Sequence, residues 1–261
     1  MSSGNDEDNW LRGGGGNDLV DGRDGNDVIL GDAGDDTLIG GDGNDFVRGD
    51  AGDDTLIGGN GDDSIVSGPG ADSVDGGSGF DGFEAFDATE GLWISLADGF
   101  AYNDGFGFAD TVSGIEAVYG GAYADHIQGD AENNWLVGND GDDLLIGGDG
   151  FDYLEGGSGA DTFRLAGDGA SDEVADYVFG DGDVIDLSDI LDGGLIDLSN
   201  FGDFVQVEAG VGSVNINVDV DGSANGQAFG LAATLDGVSV SGQIAFNIDG
   251  TVYTYDNGAV A

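Results

Sequence analysis

Side-chain oxygens recur at one phase of a nine-residue period. Asn9, Asp18, Asp27, Asp36, Asp45, Asp54, Asp63, Asp72 and Asp81 form one run, and Asp125, Asn134, Asp143, Asp152 and Asp161 a second. The chain has no cysteine and a single histidine, so thiolate sites and His-Glu-x-x-His zinc sites are excluded. Carboxylates and amides at fixed intervals suit a hard cation that takes six or more oxygens, which is the preference of Ca²⁺. Two residues after each of these positions stands an apolar side chain: Leu11, Val20, Ile29, Leu38, Val47, Leu56, Ile65, Val74 and Phe83, then Ile127, Leu136, Leu145, Leu154 and Phe163. Blocks such as Gly31-Asp-Ala-Gly-Asp-Asp-Thr-Leu-Ile39 and Gly40-Gly-Asp-Gly-Asn-Asp-Phe-Val-Arg48 show the unit, with the acid at position six and the apolar residue at position eight.

The elements that position these oxygens follow from the same unit. Glycines permit positive φ and close backbone approach, so each repeat opens with a turn. A very short strand of three residues follows, with the position-eight side chain inward and its neighbours outward. One repeat cannot bury one apolar residue by itself, so stacking is compulsory. Two repeats complete a coil, which sets residues 18 apart side by side. The chain is therefore expected to be all-β.

The repeat resembles the RTX nonapeptide Gly-Gly-x-Gly-x-Asp-x-U-x, over residues 4–84 and 120–164. The resemblance implies a parallel β-roll, a right-handed β-solenoid in two blocks, with Ca²⁺ held between turns two repeats apart. It implies ligation by the position-six side chains and by backbone carbonyls of the first four positions. Those carbonyls are Gly22, Gly25, Gly31, Ala33, Gly34, Gly40, Gly41, Gly43, Gly49, Ala51, Gly52, Gly58, Gly59 and Gly61 in the first block, and Gly138, Gly141, Gly147, Gly148 and Gly150 in the second. On that carry-over Asp18 pairs with Asp36, Asp27 with Asp45, and so on to Asp63 with Asp81; Asp125 pairs with Asp143, and Asp143 with Asp161. Asn9–Asp27 and Asn134–Asp152 are expected to be weaker sites, because one partner is a neutral amide.

Charge points the same way. Acids number 54 against 4 basic residues, for a net charge of −50, which argues against nucleic acid and anionic membrane as partners. Residues 13–84 hold 18 acids and 2 arginines, a charge of −16; six divalent ions would reduce it to −4. Ions on strands ~4.8 Å apart repel by roughly 3 kcal/mol even in water, so carboxylates shared between neighbouring ions are needed.

The division expected is residues 1–84, a first repeat block; 85–119, an aromatic-rich inter-block β segment; 120–164, a second repeat block; and 165–261, a C-terminal β-rich cap. In the inter-block segment Leu92–Leu96 reads as a strand, and 110–118 resembles segments found between RTX blocks, extending or covering the roll. Sugar stacking on Trp93 and its aromatic neighbours is the alternative. Asp176–Ser188 and the end Val252–Ala261 resemble the trailing regions of type I secreted proteins. That implies the type I secretion machinery as a partner and an extracellular or cell-surface location. The first eight residues have neither a basic nor an apolar run, so they do not read as a signal peptide. No stretch approaches the roughly 18 apolar residues of a membrane span. Strands are expected at Ser213–Val220, Val238–Ser241 and Gln243–Ile248. Asn217-x-Asp219-x-Asp221-Gly222 starts like an EF-hand loop, but its twelfth residue is Ala228, so it reads as a hairpin turn.

No catalytic constellation is evident: there is no Lys and no Gly-x-Ser-x-Gly, and the lone His126 occupies an outward repeat position. The reading is non-enzymatic. A calcium-dependent folding and export module leads; an adhesin or matrix protein binding surfaces or polysaccharide, and the tail of a secreted protease or lipase, are the alternatives.

Overall fold

The computed structural model describes residues 1–167, 170–191, 201–209, 213–219, 230–236, 243–256 and 259–260. The chain divides into two compact units, Met1–Ile127 and Gln128–Ala261.

In the first unit alternate repeats build two parallel sheets. Leu19–Asp24, Thr37–Asp42, Thr55–Asn60 and Ser73–Ser78 pair in one; Trp10–Gly15, Val28–Ala33, Phe46–Ala51, Ser64–Val66 and Gly82–Glu84 pair in the other. The register is 18 throughout, with Leu38 opposite Leu56 and Val47 opposite Ile65. Position eight points inward and is sealed: Val20, Ile29, Leu38, Val47, Leu56 and Ile65 are all 0% exposed. Full burial of each such side chain contributes about 1.5–3 kcal/mol. The chain is all-β as expected, except for one helical turn, Phe201–Phe204, among the described residues.

Most interior strands are longer than the three residues expected. Thr37–Asp42 runs six, and its second inward residue is Gly40. With no Cβ at position one, the backbone stays paired while entering the turn. Where Ser67 and Pro69 replace the usual turn residues, the strand stops at Val66, and Pro69 has no N–H to offer a ladder.

The inter-block segment extends the roll. Trp93–Ser95 and Phe100–Asn103 form an antiparallel hairpin. Asp110–Ser113 then rejoins in parallel beside Ser73–Ser78, and Ala117–Tyr119 beside Gly82–Glu84. Leu92 and Ile94 are buried, whereas Trp93 faces outward.

In the second unit Trp135–Asp140, Tyr153–Ser158 and Asp172–Val174 stack in parallel, as do Leu144–Ile146, Thr162–Arg164 and Val184–Asp186. Gly230–Asp236 and Gln243–Ile248 then pair in parallel on Asp172–Val174 and Val184–Asp186. Beyond them the pairing turns antiparallel, with Ser213–Val218 and Val205–Ala209 on one sheet and Thr251–Asp256 on the other. Tyr177 is buried, and its hydroxyl accepts the Ala245 N–H at 2.7 Å. The strands expected at 213–220 and 243–248 are present, the former as Ser213–Val218. The one at 238–241 lies outside the described residues, as do Asp221 and Ala228.

Candidate metal centres

Each position-six aspartate leans toward the preceding coil. Asp45 Oδ1 accepts the Asp27 N–H at 2.7 Å, and Asp63 Oδ1 accepts that of Asp45 at 2.8 Å. The same bond joins Asn9 to Asp27, Asp18 to Asp36, Asp36 to Asp54, Asp54 to Asp72 and Asp63 to Asp81. In the second unit it joins Asn134 to Asp152 and Asp143 to Asp161. These hydrogen bonds span 18 residues, the spacing of the expected pairs; the Asp125–Asp143 pair is not among them.

The second oxygen makes the site. Oδ2 of Asp27, Asp36, Asp45, Asp54, Asp63, Asp72 and Asp81 is buried and accepts no hydrogen bond from the protein. Except at Asp72, whose repeat has Ser67 at position one, it faces the position-one glycine of its own repeat. A Cβ on Gly22, Gly31, Gly40, Gly49 or Gly58 would collide with that oxygen and with the position-one carbonyl of the next coil. Carbonyls at positions two and four also face the adjacent coil: those of Gly41 and Gly43 lie against Gly59 and Gly61. The turn is left-handed at both positions, with φ of 125° at Gly41 and 134° at Gly43. Gly138 and Gly147 face Asp143 and Asp152 in the same way, and Gly141, Gly148 and Gly150 share the left-handed turn. Gly25, Gly34 and Gly52 occupy the fourth position of their turns with the same φ sign.

Bare carboxylate oxygens in a carbonyl-lined turn fit a hard cation. A water could satisfy the hydrogen bond, but it leaves the buried charges uncompensated. Among the described residues no three acidic or imidazole side chains form one cluster, so backbone oxygens would have to complete any coordination shell. Ca²⁺ supplies the charge compensation when bound. Without a cation, burial raises the carboxyls of Asp54 and Asp81 to about 6, Asp63 to about 7 and Asp72 to about 8. Desolvation is the largest cause in each, followed by the lowering effect of the backbone hydrogen bond.

Several expected ligands behave differently. The Ala33 and Ala51 carbonyls accept the Gly16 and Gly34 N–H groups at 2.7 and 2.8 Å, so they belong to the inter-coil ladder. Asn9 and Asn134 turn their amide oxygens onto the N–H of Asn5 and Asp130 in their own turns, both at 2.8 Å. Asp125 gives Oδ1 to Leu92 N–H and Oδ2 to Gly121 N–H. These turns are closed by a local amide. In the open turns position two is left-handed even when it is not glycine, as at Asp32 (φ 76°) and Asp50 (φ 67°), whereas Asn5, Gly121 and Asp130 are not. Asp18 Oδ1 pairs with the Met1 ammonium at 3.2 Å. His126 is half-buried, stacked on Trp93 with ring centroids 5.6 Å apart.

The repeat period also hides participants. Asp110, Glu116, Asp172 and Asp183 take the position-six role for Asp72, Asp81, Asp152 and Asp161. The signal they share is an acid two residues before an inward apolar side chain. At position five a second ladder leans the other way: Asp8, Asn26, Asn44 and Asp62 accept the N–H of Asn26, Asn44, Asp62 and Phe80 in the following coil.

A family model described as the RTX calcium-binding nonapeptide repeat matches residues 3–38, 21–56, 30–65, 48–83, 110–145, 119–154 and 137–169. No curated protein matches in sequence. Among solved structures, the extracellular lipase LipA from Serratia marcescens matches at 20% identity and a TM-score of 0.29, over 82% of this chain and 43% of the lipase. The chain thus spans less than half of that lipase's length.

Proposed function

The chain belongs to the RTX calcium-binding nonapeptide repeat family, whose repeats bind Ca²⁺, and on that premise we propose that it is the calcium-binding β-roll module of a type I secreted extracellular protein, folding on Ca²⁺ after export. The observation that carries the reading is the row of buried Oδ2 atoms with no protein donor. A fold that buries this many uncompensated carboxylates is unfavourable without a cation, so folding and binding are one equilibrium. The ligands are Asp27, Asp36, Asp45, Asp54, Asp63, Asp72 and Asp81 in the first unit and Asp143, Asp152 and Asp161 in the second, with Gly carbonyls at positions one, two and four. Calcium titration followed by circular dichroism tests it: strand signal should rise cooperatively at about 10⁻⁴–10⁻³ M, the range of extracellular modules. Full strand signal in excess EGTA would falsify the coupling.

Export is proposed to depend on the C-terminal region. Fusing residues 201–261 to a passenger should direct it through a type I apparatus, and retention of the passenger would overturn this part alone.

A second reading, attachment to polysaccharide, is favoured by the aromatic strip of the inter-block hairpin. Trp93 is 49% exposed and lies 5.0 Å from the Tyr102 ring, whose hydroxyl donates to Asp98 at 2.9 Å. Sugar rings stack on such faces. Glycan-array binding that survives Trp93→Ala and Tyr102→Ala would remove this reading.

A further inference from the structure

Two of the four arginines stand on one outer face of the first unit. Strands Trp10–Gly15, Val28–Ala33 and Phe46–Ala51 lie side by side there, and their pairing sets the outward residues in rows. Trp10, Val28 and Phe46 form one row, and Arg12, Leu30 and Arg48 form the next. With Asp32 and Asp50 at the far side they line a shallow valley of about 510 Å³, a size within the range of ligand sites. The corresponding rows of the opposite sheet, such as Thr37, Thr55 and Ser73 or Asp21, Ile39 and Ile57, hold neither a ring nor a guanidinium.

The polar groups of this valley are held in place. Arg12 donates Nε and Nη2 to Asp32. Arg48 donates Nε to Asp50 at 2.5 Å and Nη2 to Asp87 at 2.6 Å. These bonds use two of the five donors on each guanidinium, so N–H groups and carboxylate oxygens remain side by side along the valley. Two guanidiniums against three carboxylates leave it close to neutral. Trp10 is 73% exposed, and an indole is a large apolar face that gains by being covered.

We propose that this valley binds a neutral saccharide chain, stacked on Trp10 and Phe46 with its hydroxyls on Arg12 and Arg48. The two rings belong to strands ~9.5 Å apart, twice the strand spacing, with Val28 between them, so successive sugars of one linear chain can cover both. A pair of neighbouring hydroxyls both donates and accepts, which matches a guanidinium fixed beside a carboxylate. An apolar partner would strip water from those charges without replacing its hydrogen bonds. An anionic chain would meet three carboxylates and a molecule of charge −50, and a second copy of this protein would bring the same charge onto the face. The Trp93 hairpin belongs to the other sheet, and the valley stands without that reading.

The test makes Trp10 the reporter. The chain has three tryptophans, so Trp93→Phe combined with Trp135→Phe in the calcium-saturated full-length protein leaves the indole fluorescence to Trp10, with circular dichroism to verify folding. Neutral hexasaccharides of glucose, mannose, galactose and N-acetylglucosamine are titrated in turn, beside a uronic-acid hexasaccharide. At least one neutral chain should shift the Trp10 emission to the blue and saturate. Arg12→Met and Phe46→Ala should each weaken that binding at least tenfold, and Thr55→Ala on the opposite sheet should leave it unchanged. No shift with any neutral chain overturns the proposal, as does a shift with the uronic-acid chain alone. A sugar-free blue shift that grows with protein concentration assigns the face to self-association and overturns it as well. If Phe46→Ala fails to fold, the exposed Arg12→Met decides, and undiminished binding there overturns the site. If the double phenylalanine variant fails to fold, calorimetry of Trp10→Ala against the wild-type chain with the same sugars decides, and equal binding overturns the site.

Discussion

Asp45 divides its two oxygens between different tasks. Oδ1 holds the Asp27 amide, and Oδ2 faces the turn with no protein donor. Asp45→Ala removes both, and a buried charge-assisted hydrogen bond is worth about 1.5–3 kcal/mol, so the calcium midpoint should rise about tenfold or more. Asp42 accepts the Asn60 side chain at 2.7 Å on the exposed edge of the coil, and Asp42→Ala should titrate close to wild type. Equal shifts in the two variants would mean that bulk acidity, not the open turn, drives binding. The same carboxyls fix the pH response. Their folded values lie near 6, 7 and 8 at Asp54, Asp63 and Asp72, against an ordinary 3.8. A raised carboxyl holds its proton more tightly in the folded chain than in the unfolded one. Stability of the metal-free fold is therefore fullest below the ordinary value and is lost as pH rises through 6 to 8. In EGTA, strand signal should grow as pH falls from about 8 to about 4, and calcium binding near pH 7 should release protons. Loss of strand signal on acidification would refute this.

At the scale of the turn, two glycines make opposite predictions. Gly52 has φ 139°, and a Cβ there would collide with the Gly34 carbonyl; Gly15 has open space on the corresponding side and no positive φ. Gly52→Ala should destabilise the calcium-loaded protein by more than about 1–2 kcal/mol, from the left-handed backbone plus the clash. Gly15→Ala should be neutral or stabilising by up to about 1 kcal/mol, through the unfolded chain. Urea melts at saturating calcium distinguish them. Position eight and the 18-residue register were legible in the sequence, because one apolar residue in nine leaves no other way to build a core. The closed turns were not: Asn9, Asp125 and Asn134 match the period, and only the backbone at Asn5, Gly121 and Asp130 redirects their side chains. Asp110 and Asp172 were missed for the converse reason. An acid two residues before an apolar side chain is common in a chain with 54 acids, and only pairing across 38 or 20 residues singles these out. The Ala33 and Ala51 carbonyls also carry inter-coil ladder bonds, a second role that was not legible because a turn oxygen and a ladder oxygen look alike in one dimension.

For the molecule as a whole, a net charge of −50 means that screening and coordination must be told apart. At about 1 M salt the Debye length is ~3 Å, which quiets surface repulsion but leaves the buried oxygens without partners. Calcium at millimolar concentration should therefore contract the chain in small-angle scattering and restore strand signal, whereas 1 M NaCl or equimolar Mg²⁺ should not. Full recovery in NaCl would reduce calcium to a counterion. The one-way lean of the position-six side chains has a different consequence. A row in which every carboxylate reaches backward has an acceptor end and a donor end, and such a row is complementary to another copy of itself, head to tail. Contacts of that kind do not close and tend toward fibres. The local amide that occupies Asn9 blunts the acceptor face of its row, so a turn poorly able to hold an ion is one that guards against polymerisation.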